Sequence, residues 1–270
     1  MSKGQTDRLS EQQQKSGGPK GIFGENAQIH EVSVTEATDE VFDKLKKAHP
    51  LLKFRHRTKI PKKEINDELN KIDSRLGKTL YVKNAKIKPD GGIIEVEDDK
   101  GKWRIILVVE AKHQGKDVEN IQAGKKVGKN NDQDLMVAGN AIERVHKNIN
   151  EIRNIMIKEN HFPYVVFLQG SNFSTKTLDV LAPDGRCVKI KHDSGEMNRI
   201  DRVTAANYSM SINQNHCENI FIKKNGSYMM LQATSIYARC EPWKEEEMIE
   251  IMMQVAETSL SILSKQLSEN

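Results

Sequence analysis

Two stretches of the chain are apolar without interruption, Ile105-Ile106-Leu107-Val108-Val109 and Tyr164-Val165-Val166-Phe167-Leu168. Runs this short and unbroken predict strands covered on both faces. Ile93 to Glu97 alternates apolar and acidic residues instead, which predicts a half-buried strand. Before Trp103 lies Asp98-Asp99-Lys100-Gly101, with the Asp and Gly that hairpin turns favour. The strongest helical signal runs through Leu135, Ala138, Ile142, Val145, Ile149, Ile152 and Met156, the spacing of a helix with one buried seam. Asp132 is placed to cap it, and Gly139 weakens its first turns. Strand, helix, strand in that order predicts a crossover in a mixed sheet. Further helices are predicted over Val32 to His49, through Val34, Ala37, Val41, Leu45 and Ala48, and over Lys62 to Ile72. A terminal helix from Trp243 to Leu267 carries Met248, Ile251, Met252, Val255, Leu260, Ile262 and Leu263, a Met-rich face that reads as core. Strands are predicted near Thr79 to Lys83 and over Met229 to Ile236, and a hairpin from Thr177 to Lys191 turning at Pro183-Asp184-Gly185.

The strands that flank Asp98 to Gly101 end in chemistry. A turn centred on Asp99 and Lys100 sets Asp90 opposite Val109, or opposite Glu110 if one strand carries a one-residue bulge. Strand side chains alternate, so Glu110 and Lys112 share a face and Ala111 takes the other. Two carboxylates and an ammonium then meet where a buried strand emerges, which is where sites gather in α/β sheets. Carboxylate oxygens suit magnesium, which bridges to a phosphate oxygen and lowers the pKa of its bound water. Lys112 would orient or deprotonate that water. With 30% of residues charged, a Glu-x-Lys triplet also arises from surface patterning, so its position carries more weight than its spacing. Pro183-Asp184-Gly185 is the internal control: no acid-x-Lys triplet ends the strand after it, and it is assigned no catalytic role.

Composition narrows the setting. Met1 to Lys20, rich in Gln, Ser, Gly and Lys, reads as a flexible arm, and residues 21–270 as a single domain. No apolar run is long enough for a bilayer and the N-terminus lacks a signal core, so no membrane partner and a cytoplasmic location are expected. Cys187, Cys217 and Cys240 form no CxxC pair, which argues against a disulfide framework or zinc knuckle. The 8 histidines form neither HExxH nor HxH. With 42 basic and 38 acidic side chains, a nucleic-acid surface must come from local clusters. One such cluster is Lys116, Lys125, Lys126 and Lys129, in a stretch of about residues 115–131 that reads either as a solvated loop or as a basic arm on a phosphate backbone. The exposed side of the predicted helix presents Asn140, Glu143, Arg144 and Lys147; Asn and Arg suit bidentate contact with adenine and guanine edges. Arg199 and Arg202 share a face if their segment is helical.

Six blocks in fixed order then become recognisable: Gly21-Ile22-Phe23-Gly24; Lys88-Pro89-Asp90-Gly91-Gly92; Glu110-Ala111-Lys112-His113-Gln114-Gly115-Lys116-Asp117; Asp132-Gln133-Asp134-Leu135-Met136; Gly139-Asn140-Ala141-Ile142-Glu143-Arg144; and Asp201-Arg202-Val203-Thr204-Ala205-Ala206-Asn207-Tyr208. From about Arg8 to Leu267 the chain closely resembles the EcoRI type II restriction endonuclease group. The resemblance implies an α/β fold, a mixed central sheet flanked by helices with DNA-embracing arms, of the PD-(D/E)xK class. It implies a homodimer that cuts palindromic double-stranded DNA with magnesium, leaving 5'-phosphate ends, at GAATTC between G and A. It assigns the metal to Asp90 and Glu110 and the water to Lys112. The segment from Met136 through Val137, Ala138, Gly139 and Asn140 to Ala141 is implied to run extended in the major groove, which moves the helix start to near Asn140. Recognition or its buttressing falls to Gln114, Asn140, Glu143, Arg144, Arg199 and Arg202. The resemblance also implies a companion DNA methyltransferase that acts on the same site and need not bind the protein. Val137, where the family has alanine, and Ser209, where it has glycine, depart from the pattern.

Two other readings compete. A catalytically silent sequence-specific DNA-binding protein would bind without cutting. A structure-specific repair or junction nuclease would prefer DNA shape over base sequence.

Overall fold

The unbroken apolar runs become the centre of the sheet. In the computed structural model, which describes residues 25–78, 84–115, 117–124, 139–174, 176–190, 219–231 and 234–267, Trp103–His113 forms β5 and Tyr164–Gln169 forms β6. They pair in parallel. Before them in the chain lie helix α1 (Glu25–Ala48), β1 (Phe54–Arg57), β2 (Ile60–Pro61), α2 (Lys62–Asn70), β3 (Lys86–Ile87) and β4 (Gly92–Glu97). Between β5 and β6 run α3 (Asp117–Gln122) and α4 (Gly139–Ile155). After them come β7 (Leu178–Leu181), β8 (Cys187–Ile190), β9 (Ile220–Lys224), β10 (Ser227–Leu231), β11 (Ser235–Arg239) and α5 (Glu245–Leu263).

The principal sheet has the order β1-β4-β5-β6-β11, antiparallel through β5 and parallel beyond it. This is the mixed sheet with a helical crossover that the strand-helix-strand order predicts. One face is covered by α1 and α5: Val34, Ala37, Val41 and Leu45 pack with Met248, Met252 and Val255 against Leu107, Val109 and Phe167. The other is covered by α4, whose Ile142, Val145, Ile149 and Ile152 meet Ile93, Val108, Tyr164 and Val166. The Met-rich face of the terminal helix is therefore core, as read. Among the described residues no helix is long and apolar enough to cross a membrane.

A bulge sets which face the end of β5 uses. Ile94 pairs with Leu107 but Glu95 with Ile105, so Ile106 is an extra residue. Ile106 and Leu107 consequently join the same core beneath α1 and α5, and the alternation beyond them is reset. Val108 then faces α4, Val109 faces α1, and Glu110 faces α4. Without the extra residue the charged end of the strand would point to the opposite layer.

Several expectations are corrected. The turn is a three-residue loop, Asp99 to Gly101, closed by the Asp98 N–H on the Lys102 carbonyl at 2.8 Å, with Gly101 at φ 73. Strand β4 is buried through Val96 rather than half-buried, because it is internal and covered on both faces. Its Glu95, 3% exposed, is paired with Arg55 at 2.6 Å and Arg57 at 3.5 Å. The stretch from Met229 to Ile236 is two strands in different sheets: β10 pairs with β9, and β11 joins β6. Within the expected basic loop, α3 buries Asp117 and Ile121. Helix α1 begins at Glu25, ahead of the predicted Val32, and leaves Ala48 exposed; α2 stops at Asn70 and α5 at Leu263. The hairpin at Pro183-Asp184-Gly185 forms as β7 and β8. The strand expected at Thr79 to Lys83 and the arginine pair Arg199 and Arg202 lie outside the described residues.

Candidate active site

The site is built on a glycine-dependent turn. Gly92 N–H donates to the Pro89 carbonyl at 3.1 Å and Gly91 N–H to the Val109 carbonyl at 3.0 Å, so Pro89 to Gly92 docks tightly on β5. Gly92 pairs with Val109. Asp90 therefore lies one position further along than expected and meets Ala111, whose N–H donates to Asp90 Oδ2 at 3.2 Å. The extra step comes from a three-residue loop and a bulge acting together. From α1, Thr35 Oγ1 donates to the Asp90 carbonyl at 3.3 Å.

Gly92 has φ +83, and a Cβ there would lie 2.5 Å from His56 Nε2 and 2.8 Å from the Arg57 carbonyl. Gly185, in the second Pro-Asp-Gly, has φ +86 but nothing within 4 Å of an added Cβ. Gly185→Ala is thus expected to cost only the left-handed backbone term, about 1–2 kcal/mol. Gly92→Ala should add an overpacking cost of about 1–3 kcal/mol. Urea denaturation of both variants checks this, and equal losses would mean that the Asp90 turn is not held by close packing.

Glu110, Lys112 and Asp90 converge. Lys112 Nζ donates to Glu110 Oε1 at 2.6 Å, to the Ala111 carbonyl at 2.7 Å and to Asp90 Oδ2. The three hydrogens of one ammonium thus meet three oxygens. Glu110, 1% exposed, also accepts at Oε2 from Asn148 Nδ2 at 3.1 Å and Tyr164 OH at 3.2 Å. Burial pushes the Glu110 pKa up to about 7, with the Lys112 charge pulling against it and Asp90 adding to it. Burial opposes the charge on Lys112, but Glu110 and Asp90 outweigh it and hold the ammonium protonated. Burial, then Glu110, raises the Tyr164 pKa well above its ordinary value.

A set of hard oxygens already gathered around a positive charge suits a divalent cation. Two side-chain carboxylates and a main-chain carbonyl make up the set; among the described residues, neither here nor elsewhere do three His, Cys, Asp or Glu side chains gather to hold a metal.

Other expected site residues are placed unevenly. Gln114, just past β5, is 2% exposed and packs where Gly115 and Gly170 bring two segments together. Glu143 and Arg144 are exposed on α4, as is Lys147. The α4 backbone begins at Gly139, one residue ahead of the expected start, so Gly139, Asn140 and Ala141 form its first turn rather than the end of an extended segment. Met136, Val137, Ala138, Arg199, Arg202, Lys116, Lys125, Lys126 and Lys129 lie outside the described residues. Asn148 and Tyr164 were missed by sequence reasoning. The only signal for Tyr164 was a hydroxyl on a buried strand, which requires a partner.

A family model described as Restriction endonuclease EcoRI matches residues 16–270. The chain is 55% identical over 268 residues to the type II restriction enzyme RsrI of Cereibacter sphaeroides, covering 99% of this chain and 97% of that protein. To the type II restriction enzyme EcoRI of Escherichia coli it is 53% identical over 269 residues, with coverage of 99% and 97%.

Proposed function

The chain belongs to the EcoRI family of restriction endonucleases, and we propose that it is a magnesium-dependent homodimer that cuts GAATTC between G and A. Site-specific DNA cleavage within a restriction-modification system follows from the family; the metal, the residues and the target are the proposal. One observation carries it, the convergence of Asp90, Glu110 and the Ala111 carbonyl on the Lys112 ammonium. Asp90 and Glu110 would hold magnesium, which when bound would supply Lewis acidity toward a phosphate oxygen and a lowered pKa for a bound water. Lys112, its proton held by the adjoining carboxylates, would orient the attacking water and set positive charge against the phosphorane. Tyr164 and Asn148 hold one oxygen of Glu110 and leave the other on the Lys112 ammonium, free of other donors that would compete with a metal.

Twofold symmetry presents the same reading residues to both halves of a palindrome, so each subunit reads three base pairs. Asn140, Glu143 and Arg144 are placed by sequence at the start of α4, where Asn suits an adenine edge and Arg a guanine edge. Gln114, Arg199 and Arg202 buttress or extend that contact, and Lys116, Lys125, Lys126 and Lys129 grip phosphates. A methyltransferase protecting the same sequence completes the system.

The test is cleavage, with magnesium, of a duplex library holding GAATTC and every single-base variant, with the ends mapped. A cut at G/AATTC and a loss of order 1–3 kcal/mol of transition-state discrimination per substituted pair are expected. Preference for another palindrome would overturn the target and leave the nuclease standing. Binding without cutting would favour a silent DNA-binding protein, and cleavage directed by branched structure would favour a junction nuclease.

A further inference from the structure

Asn148 and Glu110 are 38 residues apart in sequence yet in contact, and Asn148 belongs to the helix to which base reading is assigned. Its amide Nδ2 donates to Glu110 Oε2 at 3.1 Å, and Tyr164 OH donates to the same oxygen at 3.2 Å. Glu110 Oε1 faces the position of the Lys112 ammonium. Two donors on one oxygen fix the rotation of the carboxylate and so the direction of the other oxygen. The donors sit on different bodies. Tyr164 opens β6, in the sheet, whereas Asn148 rides on α4.

Arg144 and Asn148 are neighbours on one face of that helix, one turn apart and about 6 Å along its axis. Between and beyond them, Ile142, Val145, Ile149 and Ile152 are fully buried, and Glu151 is paired with Lys62 of α2. The helix that carries Arg144 at its base-reading end is thus one packed body with the residue that grips Glu110.

We propose that Asn148 is a positioning residue that couples recognition to metal ligation: contact of α4 with the correct bases sets Asn148, and Asn148 sets Glu110 for the cation. The proposal rests on the functional reading above. Coupling of this kind is reciprocal, so the cation must also tighten binding to the correct sequence.

The test is calorimetric titration of Ca2+, a hard cation for the same oxygens, into the full-length protein on two duplexes. One holds GAATTC and the other has one of its base pairs replaced, and both are shown by gel to remain uncut. The wild-type protein is expected to bind Ca2+ more tightly on the intact target. Asn148→Ala should weaken that binding about tenfold to a hundredfold and erase the difference between duplexes. Tyr164→Phe should weaken Ca2+ binding on both duplexes and preserve the difference, because its donor belongs to the sheet. Asn148→Leu, which keeps the branched shape and removes the amide, carries the same expectation as Asn148→Ala should the latter fold poorly. Unchanged Ca2+ affinity in the Asn148 variants would overturn the positioning role, and a preserved difference between duplexes would overturn the coupling. No Ca2+ binding by the wild-type protein, or wild-type affinity in Glu110→Gln, would instead overturn the metal site itself and this proposal with it.

Discussion

Glu110→Gln is expected to bind its DNA target as the wild-type protein does and to cut it about a thousandfold more slowly or worse. A neutral amide oxygen is a weak ligand for a hard cation, and the charge stabilisation lost with the metal is several kcal/mol, each 1.4 kcal/mol being tenfold in rate. Binding survives because Glu110 is 1% exposed, leaving nothing for a duplex to touch. Asp90→Asn follows the same logic with one difference. Asp90 Oδ2 also receives the Ala111 N–H, a bond that the asparagine oxygen keeps, so the turn should hold its place while the charge is lost. Single-turnover cleavage at saturating magnesium, beside a metal-free gel-shift titration on the same duplex, separates the two quantities. Near-normal cutting by either purified variant would remove that residue from the metal site. Loss of binding in parallel with cutting would mean that the trio is structural.

The trio was legible because its argument is local. Glu110 and Lys112 share a face whatever the register of the strand, since two residues along any strand return to the same side. Register was not legible. Ile105 to Val109 is uniformly apolar, so the inserted Ile106 leaves no mark in the pattern, and the layer that Glu110 faces depends on that insertion. The three-residue loop is encoded by Gly101, but Asp98-Asp99-Lys100-Gly101 accommodates either loop length. Helix α4 was legible over Ile142 to Ile152 for the opposite reason: its seam is interrupted by charge at helical intervals, and every seam position is buried.

What the sequence could not display is contact between distant polar groups. Asn148 stands among exposed and half-exposed polar residues of α4, with nothing in its neighbours to mark it. Only the packing of α4 on β5 brings its amide to a carboxylate 38 residues away. The alternation of acidic residues in β4 misled in the same manner. Glu95 looked like the solvent side of a strand, yet the fold buries it and supplies Arg55 and Arg57 from β1 and its edge. A charge that pays for its burial with an arginine reads, in one dimension, like a charge in water.

Acid is expected to unfold this protein through His30. That ring lies on α1, 3% exposed, with Nε2 donating to the Phe167 carbonyl at 3.1 Å. Burial lowers its pKa from 6.5 to about 4, the Phe167 carbonyl opposes this, and His113, Asp90 and Lys112 act as surrounding charges. The unfolded chain therefore takes up the proton first. The stability that His30 contributes is fully present above pH 6.5 and is lost as pH falls from there through 4, to a total of about 3 kcal/mol. His30→Gln keeps an N–H for Phe167 and has no proton to accept. Urea denaturation at intervals between pH 7.5 and 4 should show the wild-type protein losing about 3 kcal/mol more than this variant. His161, whose pKa burial also lowers, is common to both proteins and cancels in the comparison. Parallel stability curves would remove His30 from the account. Converging curves have a consequence for the site: His30 shares α1 with Thr35, which holds the Asp90 carbonyl, so cleavage lost below pH 6 must be compared with the unfolding curve before it is assigned to the titration of a reacting group.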